Sequence, residues 1–313
     1  MEKTLRGILF LLGSGLVFTF LDSLAKETAL VLPVLQVAWG RYVFHFLFLP
    51  FYGERPFARA SWSAAGWRRI FATKHPWLQI IRSLLLLGAT LFFFAAVHFV
   101  PLADAAAVAF LEPLLITALA HVFLKERVGP RRWAAVIVGL VGVLVVIRPG
   151  FGMAHWGVLL ALGSAACGSV YSTLTRVVSR DDAASTSLAY AGIAGVIGLS
   201  LVMPFVWQPV DGLLWLMFFG LGASGQQRLV IGISGGLGHF LMIKAFGAAP
   251  GGTLAPFIYV QILWIVIVGW LWFGDWPVPT TWIGIALIVG SGLYALHRER
   301  VRARERSRIS QQS

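Results

Sequence analysis

Residues 101–133, PLADAAAVAFLEPLLITALAHVFLKERVGPRRW, have a partner stretch 149 positions further on, residues 250–282, PGGTLAPFIYVQILWIVIVGWLWFGDWPVPTTW. Without a gap, Pro101 meets Pro250, Ala106 meets Ala255, Leu114 meets Leu263, Pro130 meets Pro279 and Trp133 meets Trp282. The acid Glu126 meets the acid Asp275. Upstream, at an offset of 150, Gly7 meets Gly157, Gly13 meets Gly163 and Ser14 meets Ser164. The chain therefore reads as two copies of one unit, residues 1–148 and 149–298, followed by a basic tail at 299–313.

Composition says what each unit is. Of 313 residues, 58% are apolar and 12% charged, where a soluble domain carries about 25% charged residues. So few charges cannot clothe so apolar a core in water, which excludes a soluble enzyme. The single cysteine, Cys167, excludes a disulfide scaffold, and the hydrophobicity excludes a disordered chain. A helix needs about 20 apolar residues to cross about 30 Å of hydrocarbon. Ten runs qualify: 5–25, 33–52, 76–98, 102–123, 131–148, 155–177, 185–206, 228–247, 252–273 and 280–297. Residues 213–222 are apolar but short, and are predicted to lie at the interface. The first run follows Lys3 and Arg6, as in a signal peptide. It lacks a small-residue cleavage site and leads into Asp22 and Lys26, so it is predicted to be a retained helix.

Five spans per unit is an odd number, so the second unit enters the bilayer from the opposite face. The predicted fold is thus an all-α integral membrane protein of ten transmembrane helices, arranged as two inverted five-helix repeats. Such repeats interconvert inward-open and outward-open cavities, which favours a transporter over a channel or enzyme. With the N-terminus in the cytoplasm, 19 of the 25 Lys and Arg residues fall in cytoplasmic segments. Lys26, Arg148 and Arg228 fall outside, and Arg41, Arg82 and Lys244 within spans. This positive-inside bias predicts both termini in the cytoplasm of a bacterial inner membrane. The tail arginines are expected to touch anionic lipid; no aromatic stacking residues accompany them, so nucleic acid is not an expected partner.

Glu112-Pro113-Leu114-Leu115, Lys125-Glu126-Arg127, Trp133, Gly139, Gly142 and Arg148-Pro149 resemble the end of an EamA-type domain. Ala255-Pro256-Phe257-Ile258-Tyr259, Gly274-Asp275, Pro277, Trp282 and Gly284 form a second copy. Together they resemble the ten-helix drug/metabolite transporter superfamily over nearly the whole chain. The resemblance implies a secondary carrier of small metabolites with no metal or cofactor. It also implies a central cavity lined mainly by spans 1–4 and 6–9, with spans 5 and 10 peripheral. The expected activity is export of a small polar metabolite (amino acid-like, zwitterionic or anionic) by alternating access, as monomer or homodimer. The alternatives are an uptake permease for a vitamin or nucleoside-like solute, or a membrane-embedded enzyme or lipid flippase. No HExxH, GxSxG, Walker loop or metal-spaced Cys/His set is present, which argues against an enzyme.

Ionisable groups inside a span are costly and mark candidate sites. At about 1.5 Å per residue, Arg41 lies about 12 Å deep, Glu112 about 15 Å, His239 about 16 Å and His45 about 18 Å. Gln261 also falls near the midplane. Arg41 offers a fork for a carboxylate or phosphate, or an ion pair with Glu112 or Asp22. Glu112 precedes Pro113, which frees the Ala109 carbonyl; acid and carbonyl together could hold a proton or cation. His45 and His239 could relay protons near neutral pH. Trp39, Tyr259 and Gln261 supply an aromatic wall with polar anchors. The predicted substrate site is therefore Trp39, Arg41, His45, Glu112, His239, Tyr259 and Gln261. Coupling to a proton or counter-solute would use Glu112, His45 or Asp22. Asp22 and Lys26, one turn apart, are expected to pair. Arg82 and Lys244, nearer the cytoplasmic face, are expected to snorkel.

Overall fold

The computed structural model describes residues 2–30, 32–47, 49, 63–123, 129–147, 156–179, 181–209, 237–238, 240–242, 244–245, 248–249, 254 and 257–312. Among them the regular helices are α1 (Glu2–Ala29), α2 (Val34–Leu47), α3 (Ala64–Ile70), α4 (Pro76–Phe99), α5 (Leu102–Ala109) and α6 (Glu112–Phe123). They continue with α7 (Pro130–Ile147), α8 (Trp156–Val178), α9 (Ala184–Val206), α10 (Val260–Phe273) and α11 (Pro279–Gln312). No described residue is in a strand. Proline has no N–H to leave unpaired in a first helical turn, and its fixed φ suits that position. The repeated prolines Pro130 and Pro279 accordingly open α7 and α11.

Six described stretches are long and apolar enough to span a bilayer, one of them (Leu102–Leu119) running through α5 into α6, which makes this a multi-pass membrane protein. The shorter apolar helices Trp133–Val146 and Val260–Phe273 accompany them. Large apolar side chains such as Leu144, Leu201, Phe205 and Leu271 point outward, where lipid rather than water is the solvent. The eighth predicted span, His239 within it and the interfacial segment at 213–222 lie mostly or wholly outside the described residues.

Two expectations are refined. The span predicted at 102–123 is not one helix. Phe110 and Leu111 interrupt it, with Leu111 N–H bonding back only three residues to the Val108 carbonyl at 3.0 Å. The cause is Pro113, whose ring clashes with the carbonyl four residues earlier. Glu112 consequently stands in the first turn of α6, where unpaired backbone N–H groups favour an acid. The tail is not separate either: α11 runs without a break from the membrane through its arginines to Gln312.

The main packing partners come from opposite halves of the chain. α4 lies along α8, α7 along α11, α2 along α9 and α1 along α10. One core joins Ala96, Leu102, Leu111, Val143, Ala161, Ile265 and Ile288 across α4 to α8, α10 and α11. A second core holds Leu21, Val37, Tyr42, Phe94 and Leu199, from α1, α2, α4 and α9. At the end of α10, Gly274 takes φ 71°, a left-handed turn that other residues resist. The turn aims Asp275 back at α1, where its carboxylate meets Lys26 Nζ at 2.6 Å. Lys26 therefore pairs with Asp275, not with Asp22. Its ammonium also sits 4.5 Å from the centre of the Phe273 ring.

Candidate functional site

α4 carries its polar residues on one buried stripe, Gln79, Arg82, Ser83, Thr90 and, apolar, Phe94. These positions recur at three-, four- and seven-residue steps, so they share a helix face. α8 answers with Gly168, Tyr171, Ser172 and Thr175, and α2 brings Arg41 and Tyr42 to Thr90.

At the upper level, Arg41 Nη1 donates to Thr90 Oγ1 at 3.5 Å, and its guanidinium lies 5.5 Å from the centre of the Phe94 ring. Tyr42 and Thr90 share a hydrogen bond of 3.0 Å between their hydroxyls. Among the described residues, Arg41 makes no carboxylate contact within salt-bridge distance. The pairing with Glu112 or Asp22 considered from the sequence is therefore not formed. The reason for Glu112 is its own partner: Oε1 accepts from Ser172 Oγ at 2.7 Å. Gly168 makes room for it, because a Cβ there would stand 2.8 Å from Glu112 Oε2.

At the lower level, Arg82 does not snorkel. It is 2% exposed. Its Nε donates to Thr175 Oγ1 at 2.6 Å, Nη1 to Gln79 Oε1 at 2.9 Å and to the Ser187 carbonyl at 3.1 Å, and Nη2 to Tyr171 OH at 3.2 Å. Snorkelling is needed only when a charge lacks partners at its own depth, and three helices supply them here. Gln79 Nε2 passes the network on to Asp182 Oδ2 at 2.8 Å. Asp182 also accepts from Thr73 Oγ1 and from the Lys74 N–H at 3.2 Å. Beside it, Asp181 meets His75 Nε2 at 2.9 Å and Lys74 Nζ at 3.7 Å. Both loop acids lie below the ordinary carboxylate range. For Asp181 the His75 hydrogen bond leads. For Asp182, burial pushes upward, and the bonds from Thr73, Gln79 and the Lys74 backbone outweigh it.

The remaining predicted site residues stand elsewhere. Trp39 gives its indole N–H to Ser200 Oγ at 2.8 Å and packs edge-on against Trp207, joining α2 to α9. His45 is buried, its Nε2 3.3 Å from the Leu188 carbonyl. Tyr259 is buried against Gly292 of α11 and Phe110, and its hydroxyl has no hydrogen-bond partner among the described residues. Gln261 lines a cavity of about 120 Å³ with Ser14, Gly15, Phe18, Met242 and Trp264, between α1 and α10. The sequence reading missed Thr90, Tyr42, Tyr171, Ser172 and Gln79, and misjudged Arg82. The signal was present in the helical spacing of polar residues along α4 and α8, which only matters once the two stripes face each other. Among the described residues, no cluster of His, Cys, Asp or Glu could hold a metal.

The model of the EamA-like transporter family matches the chain twice, over residues 5–148 and 155–296. The chain belongs to the EamA-like transporter family. Two riboflavin transporters are similar to this EamA-like chain. One, from Rhizobium johnstonii, is 27% identical over 97% of this chain and 95% of its own length. The other, from Vibrio cholerae, is 26% identical over 98% of each. An S-adenosylmethionine uptake transporter from Rickettsia prowazekii is 23% identical over 96% of this chain and 95% of its own length. A crystal structure with 22% identity, covering 94% of this chain and 96% of its own, shares the fold with a TM-score of 0.60. Family and relatives together make this protein a small-molecule transporter rather than an enzyme.

Proposed function

We propose that this EamA-like protein takes up a flat, polar heterocyclic solute, of flavin or nucleoside type, across the bacterial inner membrane. Arg41 carries the reading. Its fork spends one long bond on Thr90, lies over Phe94, and contacts no acid among the described residues. A guanidinium held inside a membrane protein with donors to spare suits an anionic or carbonyl-rich ligand. Phe94 sets an aromatic ring beside that fork, which suits a flat solute. Riboflavin and S-adenosylmethionine, named for the relatives, both join a nitrogen heterocycle to a polar chain. The same names favour uptake over the export expected at first, since the S-adenosylmethionine relatives are called uptake transporters.

The working cycle is alternating access between two inverted five-helix units, ten spans in all, with both termini in the cytoplasm. Contacts of α1 with α10 and of α8 with α6 support a two-fold relation between the units, because such an axis exchanges one pair for the other. Glu112, held by Ser172, is the first candidate coupling group, with Asp22 the second. Proteoliposomes loaded with buffer and given labelled riboflavin or S-adenosylmethionine test the reading. Uptake above protein-free vesicles is expected, with loss in Arg41→Ala and Glu112→Gln. Uptake undiminished in both variants sinks the site.

A further inference from the structure

Resting on the transport reading above, we propose that Arg82 is a positioning residue of the transport cycle. It closes one end of the pathway by tying α4 to α8 and α9, and it releases them when that end opens. The geometry points this way on three grounds. First, the location is an end, not the middle. Thr90, in the Arg41 cluster, lies on the same face of α4, eight residues or about 12 Å deeper than Arg82. On this reading a solute leaving the Arg41 level towards the start of α4 passes the Arg82 network.

Second, the tie crosses the two halves of the chain. α4 belongs to the first, and Tyr171, Thr175 and Ser187 to the second. The contact must therefore break if the halves move against each other.

Third, the chemistry is that of a reversible joint. All four Arg82 hydrogen bonds end on neutral oxygens, and the nearest acid in the network, Asp182, is reached through Gln79. A permanent junction is served as well or better by apolar packing, because burying a charge is costly. Neutral hydroxyl and carbonyl partners can instead be exchanged for water one at a time as the gap hydrates. Outside this layer, Lys74, His75 and Asp181 form an exposed rim that can part in water at little cost. The far end has a tie of its own, Lys26 with Asp275 and Glu27 with Trp272 Nε1 at 3.2 Å. The two ties bind different helices, so one can open while the other holds.

The test uses the full chain in membrane vesicles of both orientations, with Cys167→Ser and Thr90→Cys providing one reporter thiol. A membrane-impermeant maleimide should label this thiol slowly from the Arg82 side. Arg82→Gln should raise that rate by about tenfold or more while labelling from the other side stays level or falls, as a population shift requires. Asp182→Asn, a milder change at the rim, should raise it less. Equal labelling with and without Arg82, or a rise from both sides alike, overturns the proposal. In a second arm, Gln79→Cys and Ser187→Cys are bridged by a short bis-methanethiosulfonate, which joins thiols through reducible disulfides, their parent side chains being 3.2 Å apart. Solute turnover should stop and return on reduction; turnover that survives the bridge also overturns the proposal. A wrong solute would show as no uptake by the parent chain, and would leave the labelling arm readable.

Discussion

Replacing Gly168 by alanine should damage the site through Glu112 alone, by an amount the geometry sets. The new Cβ would stand 2.8 Å from Glu112 Oε2 and 3.1 Å from its Cδ, where ordinary contact begins near 3.4 Å. The carboxylate has to retreat by about 0.6 Å. It is not free to do so, because Oε1 is held by Ser172 Oγ at 2.7 Å. Losing that bond costs about 1–3 kcal/mol, equivalent to about 5- to 150-fold in an equilibrium constant. Solute binding by purified protein and initial uptake in proteoliposomes should both fall within that range. Ser172→Ala alone should cost a similar amount. Because both changes act through one bond, the double variant should be little worse than either single one. Full additivity of the two costs, or a Gly168→Ala protein that binds and transports like the parent, would refute the reasoning.

Three further outcomes are expected. Lys26→Ala and Asp275→Ala, taken through a double-mutant cycle, should show a coupling of about 1 kcal/mol or less that shrinks with added salt, since the pair is partly exposed. Asp181 and Asp182 have folded-state values below the ordinary 3.8. Their contribution to stability is therefore fully present above that value and lost as pH falls through the depressed ones. Between pH 5 and 8 the melting temperature in detergent should include their full contribution and not vary with pH on their account, and its acid decline should be shallower in Asp182→Asn. Trp39→Phe should remove the 2.8 Å bond to Ser200 and lower thermal stability by about 1 kcal/mol. Solute affinity should be unchanged; a large loss of affinity would return Trp39 to the binding site.

The membrane class was legible because a bilayer imposes one requirement on sequence, an apolar run long enough to cross it, and α1, α4, α8 and α9 meet it within single segments. The paired units were legible because proline and glycine act locally: Pro130 and Pro279 open α7 and α11 wherever those helices pack. Even the break before α6 was foreshadowed by Pro113, although its result, an acid placed in a first helical turn, needed the folded chain.

Partners were a different matter. Lys26 has Asp22 one turn away and takes Asp275 instead, 249 residues distant. Arg82 stands six residues into α4, where snorkelling was expected, yet is buried among neutral oxygens from α4, α8 and α9. Sequence by itself determined where helices run and which faces are apolar, since backbone hydrogen bonding and hydrophobic burial act along a segment. Only the tertiary structure decided which polar groups meet, because hydrogen bonds and ion pairs act over about 3 Å. Separations that short are set by how whole helices lie against one another.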